Sequence, residues 1–342
     1  MTLRARIEGA LNARWYSEQP PPLWLRPLSR LYGRVADQRA QRHRAEAASL
    51  PLPVIVVGNL TSGGAGKTPV TIALVEAAQA MGLRVGVVSR GYGARVRAPL
   101  QVDSTTSART VGDEPILIAR RTGAPVCVSR DRSQAVRTLA AVHDLDVVIA
   151  DDGLQHYRMP RTAEICVVDG SRGLGNGWRL PAGPLREPEA RLAHCDLVVV
   201  NGGGAAGEAL ARTWDALHCE LSLDQAVHLR DGHARPLTDF RGGRVFATAG
   251  IAHPARFFDA LRGLGLDIED HPLGDHEAVP EAILALAEQA PLLMTEKDAV
   301  KLAPPGRAQC YAVPVTLRWR DAGAARLDTL IRRVAERAAA SS

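Results

Sequence analysis

Residues 54–68 read Val-Ile-Val-Val-Gly-Asn-Leu-Thr-Ser-Gly-Gly-Ala-Gly-Lys-Thr, and they constrain the fold more than any other stretch of the chain. A β-branched apolar run feeds a glycine-rich loop, and a helical pattern follows it. Glycines let backbone N–H groups turn inward around phosphate oxygens, and the helix N-terminus adds partial positive charge. In such a loop Lys67 reaches the β- and γ-phosphates and the Thr68 hydroxyl reaches Mg²⁺. Thr61, Ser62, Gly63, Gly64, Ala65, Gly66, Lys67 and Thr68 are therefore the expected nucleotide-binding residues. The strict motif places a glycine where this chain has Thr61. Gly63 and Gly64 supply the flexibility instead.

Similar apolar runs recur at Val85–Val88, Val126–Val128, Val147–Ala150, Ile165–Val168 and Leu197–Val200. Continuous runs of this kind suit strands buried on both faces. Helical patterns intervene at about 67–81, 113–122 and 132–143. The alternation predicts an α/β fold with a doubly wound, mainly parallel sheet. A second alternation begins at Val245–Ala249. It continues through a helix near 254–264, strands at Leu292–Thr295 and near Tyr311–Val315, and a last helix at about 321–339. The expected organisation is a basic arm over 1–50, a P-loop domain over 51–215, a turn-rich linker over 216–242 and a smaller α/β domain over 243–342. Carboxyl ends of the strands, facing the interdomain cleft, are the expected place for the active site.

Charge separates the arm from the rest. Residues 1–50 hold nine Arg against four acids, an excess of five that equals the net charge of the whole chain, +5. After Pro20-Pro21-Pro22, the residues Trp24, Leu28, Leu31, Tyr32 and Val35 fall on one face of a helix, and Arg26, Arg30 and Arg34 lie off it. Such an amphipathic helix either lies in a bilayer interface or packs on its own domain. No apolar run reaches the roughly 18 residues of a spanning helix, and no apolar leader core is legible. The five cysteines are scattered without a Cys-x-x-Cys pair. That argues against a disulfide framework or a zinc site and for reduced thiols.

Further polar groups gather at predicted strand ends. Asp146-Val-Val-Ile-Ala-Asp151-Asp152 is an apolar strand ending in acids, a pattern that holds Mg²⁺ directly or through water. Gln155 and His156 either orient water or metal, or cap the turn. Arg90 follows the second strand, Arg130 and Arg132 the third, and Arg186-Glu187 closes Pro181-Ala-Gly-Pro-Leu-Arg-Glu187. Several guanidinium groups at one sheet edge suit a phosphate clamp. By residue pattern alone Asp113 is a helix cap and His276 a loop histidine. A guanine-specific switch is disfavoured, because Gly202 stands where an Asn-Lys-x-Asp motif at Asn201 needs Lys.

Taken together, these stretches resemble the tetraacyldisaccharide 4′-kinases, the lipid A kinases of Gram-negative bacteria. The resemblance rests on Gly58–Pro69, Ser89-Arg-Gly-Tyr-Gly93, Gly112-Asp-Glu-Pro115, Asp151-Asp-Gly-Leu-Gln-His156, Pro181–Glu187, Asp275-His276 and Thr295-Glu-Lys-Asp298. Members of that family also lack the first glycine of the loop. The resemblance implies transfer of the ATP γ-phosphate to the sugar 4′-hydroxyl of a lipid A disaccharide precursor. It implies two α/β/α domains joined by a short β linker. By motif match Asp113 is the general base, tuned by His276, and Lys67 and Arg132 complete the catalytic set. Thr68, Asp151, Asp152 and Gln155 match residues around metal and phosphates, and Arg90, Tyr92, Arg186 and Glu187 match clamp positions. Lys297 matches a family lysine with no assigned task. The expected cofactors are ATP and Mg²⁺. The expected partners are the lipid-linked substrate and an anionic membrane surface, with no nucleic acid and no obligate protein partner. The expected location is the cytoplasmic face of the inner membrane, held peripherally.

Overall fold

The structure is a computed structural model and describes residues 9, 11–17, 19–91, 96–103, 105–302, 308–320 and 322–339. Contacts divide the chain into two compact units, Met1–Arg90 with Asp131–Glu220 and Trp319–Ser342, and Gly91–Arg130 with Leu221–Arg318. This partition is not collinear with the sequence. The sequence reading placed 91–130 in the P-loop domain and the last helix in the smaller domain, whereas their packing partners lie elsewhere. Periodicity reports which face of an element is apolar, not which core that face joins.

In the first unit, six strands line up in the order Leu217–Leu223, Leu197–Asn201, Ala163–Asp169, Val54–Gly58, Val147–Ala150 and Val85–Ser89. Every pairing is parallel, with Ile55 opposite Ile149 on one side and Val57 opposite Ile165 on the other. Five of these runs are buried at every residue, which explains their lack of alternation. The strand carrying the glycine-rich loop is central, so its carboxyl end meets polar residues from both neighbours. Helices Lys67–Ala80 and Arg132–Val142 flank this sheet, and the terminal helix Gly323–Ala339 packs on Lys67–Ala80 through Leu327, Leu330, Ile331 and Val334.

The basic arm belongs to this unit. Its helix, Leu25–Ala45, buries Leu25, Ser29 and Gly33, spaced one turn apart. Ser29 Oγ donates to the Arg179 carbonyl at 2.7 Å, and Arg179 pairs with Asp37. The apolar stripe faces the other way. Trp24 is 68% exposed, Leu28 47%, Leu31 58% and Val35 55%. Upstream, Trp15 Nε1 donates to the Pro181 carbonyl at 3.0 Å, and the Arg172 guanidinium lies over the Tyr16 ring.

In the second unit, strands run in the order Ala234–Pro236, Gln225–His228, Cys310–Val313, Leu292–Thr295, Arg244–Ala249 and Asp267–Pro272. The last four are mutually parallel, and the first two add antiparallel edges. Phe257, Phe258 and Leu261 of helix Pro254–Gly263 cover one face, and Phe246, Met294 and Ala299 pack on the other. Strand Asp267–Pro272 was not predicted, because its Asp-Ile-Glu-Asp-His-Pro sequence sits half in water at the sheet edge. The stretch read as a linker, 216–242, contributes three strands, two of them in this sheet and Leu217–Leu223 in the other. Helix Asp113–Thr122 joins this unit, packed against the short helix Glu296–Ala299 through Ile116, Val111 and Val300.

Candidate active site

The loop after Val54–Gly58 is pinned from inside. Asn59 is fully buried, and its amide donates to the Thr61 carbonyl at 2.9 Å and the Gly63 carbonyl at 3.3 Å. Gly66 adopts φ +81° immediately before the Lys67–Ala80 helix, a left-handed turn that suits glycine. The same turn leaves the helix N-terminus without a side-chain cap, its first N–H groups free to meet an anion. From outside, Ser62 N donates to the Pro184 carbonyl and Arg186 N to the Leu60 carbonyl, both at 2.7 Å. The Pro181–Glu187 segment thus forms a wall of the loop, which spacing alone does not reveal. Asn201 adds a further hold from the next strand end, donating to the Ala65 carbonyl at 3.2 Å.

Lys67 Nζ lies 3.4 Å from Asn59 Oδ1 and 3.4 Å from Asp152 Oδ1. Arg186 Nη1 approaches the same Asp152 oxygen at 3.9 Å and donates to Gln155 Oε1 at 3.3 Å. Burial pushes the Asp152 carboxyl up, but Lys67, Arg186 and Arg132 outweigh it and hold the group below the usual range. Its backbone sits at φ +49°, a strained conformation at a strand end. Asp151 is buried and accepts from the Thr71 hydroxyl at 2.9 Å. Arg132, equally buried, donates to the Asp152 carbonyl at 2.6 Å, and desolvation lowers its guanidinium to about 10. Gln155 donates to the Asn59 carbonyl at 3.0 Å and so ties the Asp152 turn to the loop.

Among the described residues, no group of three or more His, Cys, Asp and Glu is gathered to hold a metal ion. The acids present are Asp151 and Asp152, and the buried Asp152 Oδ1 has no donor aligned on it. Two carboxylates with hydroxyl and amide oxygens are hard donors. They fit Mg²⁺, which takes few protein ligands and completes its shell with phosphate and water.

A second constellation forms within the other unit. Gly112 turns at φ +91° to start the Asp113–Thr122 helix, which buries the Asp113 side chain to 4% exposure. His276 Nδ1 meets Asp113 Oδ1 at 3.1 Å and Oδ2 at 3.0 Å. His276 itself sits at φ +63°. Lys301 Nζ is 3.8 Å and Lys297 Nζ 4.0 Å from Asp113 Oδ2. Burial pushes Asp113 up, and the His276 bond with the two ammonium groups more than reverses it, leaving the carboxyl below its ordinary value. The Asp113 bond raises His276, against burial and the charge on Lys297. Asp113 is therefore no ordinary helix cap. Within its own helix its side chain meets only the adjacent Glu114 N, at 3.0 Å.

The predicted residues divide accordingly. Lys67, Asp152, Gln155, Arg186 and Arg132 converge in the first unit, and Asp113 with His276 in the second. Glu187 turns from Lys67 into a buried network with Tyr157 and Arg191, keeping only a 3.4 Å contact to Gln155. His156 is buried enough to lower its imidazole to about 4, so it stays neutral. Arg90 and Arg130 are exposed, and Tyr92 lies outside the described residues. Sequence reasoning missed Asn59, Thr71, Asn201 and Lys301, because single polar residues next to a motif carry no periodic signal.

The first unit defines the class: a P-loop nucleotide-binding fold with Lys67 and Arg186 gathered on Asp152 at the carboxyl end of a parallel sheet. The family model Tetraacyldisaccharide-1-P 4′-kinase matches residues 22–334. The tetraacyldisaccharide 4′-kinase of Stenotrophomonas maltophilia is 49% identical over 307 residues, covering 88% of this chain and 90% of that one. That of Nitrosococcus oceani is 43% identical, with 94% of each chain covered. A crystal structure of LpxK from Aquifex aeolicus in complex with ATP superposes with a TM-score of 0.70 at 26% identity, over 90% of this chain and 97% of that one. The chain belongs to the tetraacyldisaccharide 4′-kinase family.

Proposed function

We propose that this chain transfers the γ-phosphate of ATP to the 4′-hydroxyl of a tetraacyldisaccharide 1-phosphate, a step of lipid A biosynthesis. The reading rests on family membership and on Lys67, held beside Asn59 and Asp152 at the mouth of a pinned glycine-rich loop. Lys67 and the loop amides hold the β- and γ-phosphates, and Arg186 and Arg132 offset charge as it spreads over the transferring group. Arg90, Tyr92 and Glu187 retain their clamp assignments by motif. Mg²⁺, when bound, neutralises phosphate charge, with Thr68, Asp151, Asp152 and Gln155 as its holders. Asp113 and His276 accept the proton of the attacking hydroxyl. Asp113 keeps the imidazole oriented through Nδ1, and the pair, as carboxylate and neutral imidazole, takes up the one proton that the hydroxyl releases.

The enzyme works at the cytoplasmic face of the inner membrane, where ATP and an acylated substrate meet. Support comes from the arm helix. Its packed face uses Leu25, Ser29 and Gly33, which leaves Trp24, Leu28, Leu31 and Val35 directed outward beside Arg30 and Arg34. A helix that already has a protein-facing side and still exposes an aromatic–aliphatic stripe is suited to an anionic interface. No described helix is long and apolar enough to cross a membrane. Turnover of a tetraacylated disaccharide 1-phosphate with γ-labelled ATP tests the reaction. Phosphate retained on ATP in the presence of folded protein, acceptor, Mg²⁺ and detergent would refute it.

A further inference from the structure

Lys297 lies in the Thr295–Asp298 turn, where sequence gives it no task. Its Nζ is 3.2 Å from Glu114 Oε1, 3.7 Å from Asp275 Oδ1 and 4.0 Å from Asp113 Oδ2. Three carboxylates from two elements therefore share this ammonium group. Lys301 also reaches Asp113, at 3.8 Å, but it is committed to the fully buried Asp298 at 2.8 Å and to the Glu277 carbonyl at 2.9 Å. The placement of Lys297 is itself built. The Thr295 hydroxyl accepts from Asp298 N and donates to Asp298 Oδ2, and that carboxylate also receives Gly250 N at 2.9 Å. Arg121 pairs with Glu296 at 2.8 Å, joining the Asp113 helix to the same turn. Glu277 Oε2 takes Gly274 N at 2.8 Å and so braces the loop that carries His276.

We infer that Lys297 is a positioning residue for phosphoryl transfer: it neutralises the Asp113–Glu114–Asp275 cluster, keeps Asp113 ionised and fixes the pH at which the Asp113–His276 pair can accept a proton. The inference rests on the proposed role of that pair. Without the Lys297 charge, Asp113 and Glu114 on one element and Asp275 on the other repel one another. His276, bonded to Asp113, then binds its proton more tightly. An opposite charge at this range shifts a carboxyl by about one to three pH units. The repulsion raises proton affinity throughout the pair, so the acid side of the activity profile moves to higher pH.

The test is kcat/KM against pH for the full-length enzyme, its Lys297→Met, Lys297→Arg and Glu114→Gln variants, and Asp113→Ala. Lys297→Met is expected to move the acid limb up by about one unit, with activity recovering towards the parent level at high pH. Lys297→Arg, which keeps the charge, restores the limb. Glu114→Gln removes a competing acid and moves the limb down. A uniform loss at every pH with the limb unmoved assigns Lys297 to structure alone and overturns the inference. Should circular dichroism reveal an unfolded Lys297→Met, the Glu114→Gln profile decides, and an unshifted limb overturns it. Undiminished turnover in Asp113→Ala instead removes the pair's role, a failure distinct from an unmoved limb in an enzyme that needs Asp113.

Discussion

Replacing Leu28 and Leu31 together by Ser tests the membrane reading with little disturbance elsewhere. Their exposures, 47% and 58%, amount to about one fully exposed leucine. Full burial of a leucine side chain is worth roughly 1.5–3 kcal/mol. If both side chains enter the interface, the double variant binds membranes roughly 10- to 150-fold more weakly. Cosedimentation with anionic phospholipid vesicles at physiological salt measures the ratio. ATP affinity and thermal stability should hold, because the helix packs through Leu25, Ser29 and Gly33 instead. Deleting the arm is a poorer experiment. It removes the Trp15 bond to Pro181, the Tyr16–Arg172 stack and the Ser29 bond to Arg179, all in the unit that carries the loop. A double variant that sediments like the parent protein refutes insertion of the stripe.

Three further outcomes are expected. Lys67→Ala lowers turnover at least 10²-fold in a protein that remains folded by circular dichroism, since its ammonium group is the loop's own cation for the transferring phosphate. Asp113→Ala lowers turnover roughly 10²–10⁴-fold while calorimetry still detects ATP binding, and adding His276→Ala costs little more because the two act as one unit. The melting-temperature deficit of His276→Ala is largest between about pH 4 and 6.5 and shrinks above that. The raised His276 contributes stability that is full below its ordinary 6.5 and lost as pH climbs through its folded value. The depressed Asp113 contributes above its ordinary 3.8 and loses that contribution as pH falls through its own folded value. A deficit that grew from pH 6.5 to 9 would contradict this assignment.

How much of this was legible in the sequence depended on the kind of signal each feature leaves. Val54–Val57 and Val147–Ala150 announced themselves because strands buried on both faces need unbroken apolar runs. The loop was legible because phosphate binding needs glycine and lysine at fixed spacing. The polarity of the arm helix was half legible. Its stripe was readable, but which side packs was not, since the packed side has Ser29 and Gly33 beside a single leucine, Leu25. Domain assignment failed over 91–130 because the apolar face of Asp113–Thr122 looks the same whichever core receives it. Asp113 and His276 stand 163 residues apart, and no local pattern links a buried acid to a loop histidine. Motif resemblance paired them, and the structure places them in hydrogen-bond contact.

Their pairing sets stability against chemistry. The Asp113–His276 contact is strongest as carboxylate and imidazolium, and the directions of both pKa shifts favour that state. A pair that already holds its proton is a poor acceptor for another, so the proposed general-base role needs the imidazole neutral. Raising His276 far would stabilise this region and disable it near neutral pH. Two features oppose that rise: partial burial, which penalises the imidazolium, and the positive charge of Lys297. Lys297 is retained beside the pair by Glu114, Asp113 and Asp275, whose charges together outweigh the cost of its own burial. Asp113, through its bond, and Asp275, 3.8 Å from His276 Nε2, raise His276 directly, while the lysine that they and Glu114 hold lowers it. The left-handed backbone at His276 is a further cost borne by the loop that presents it.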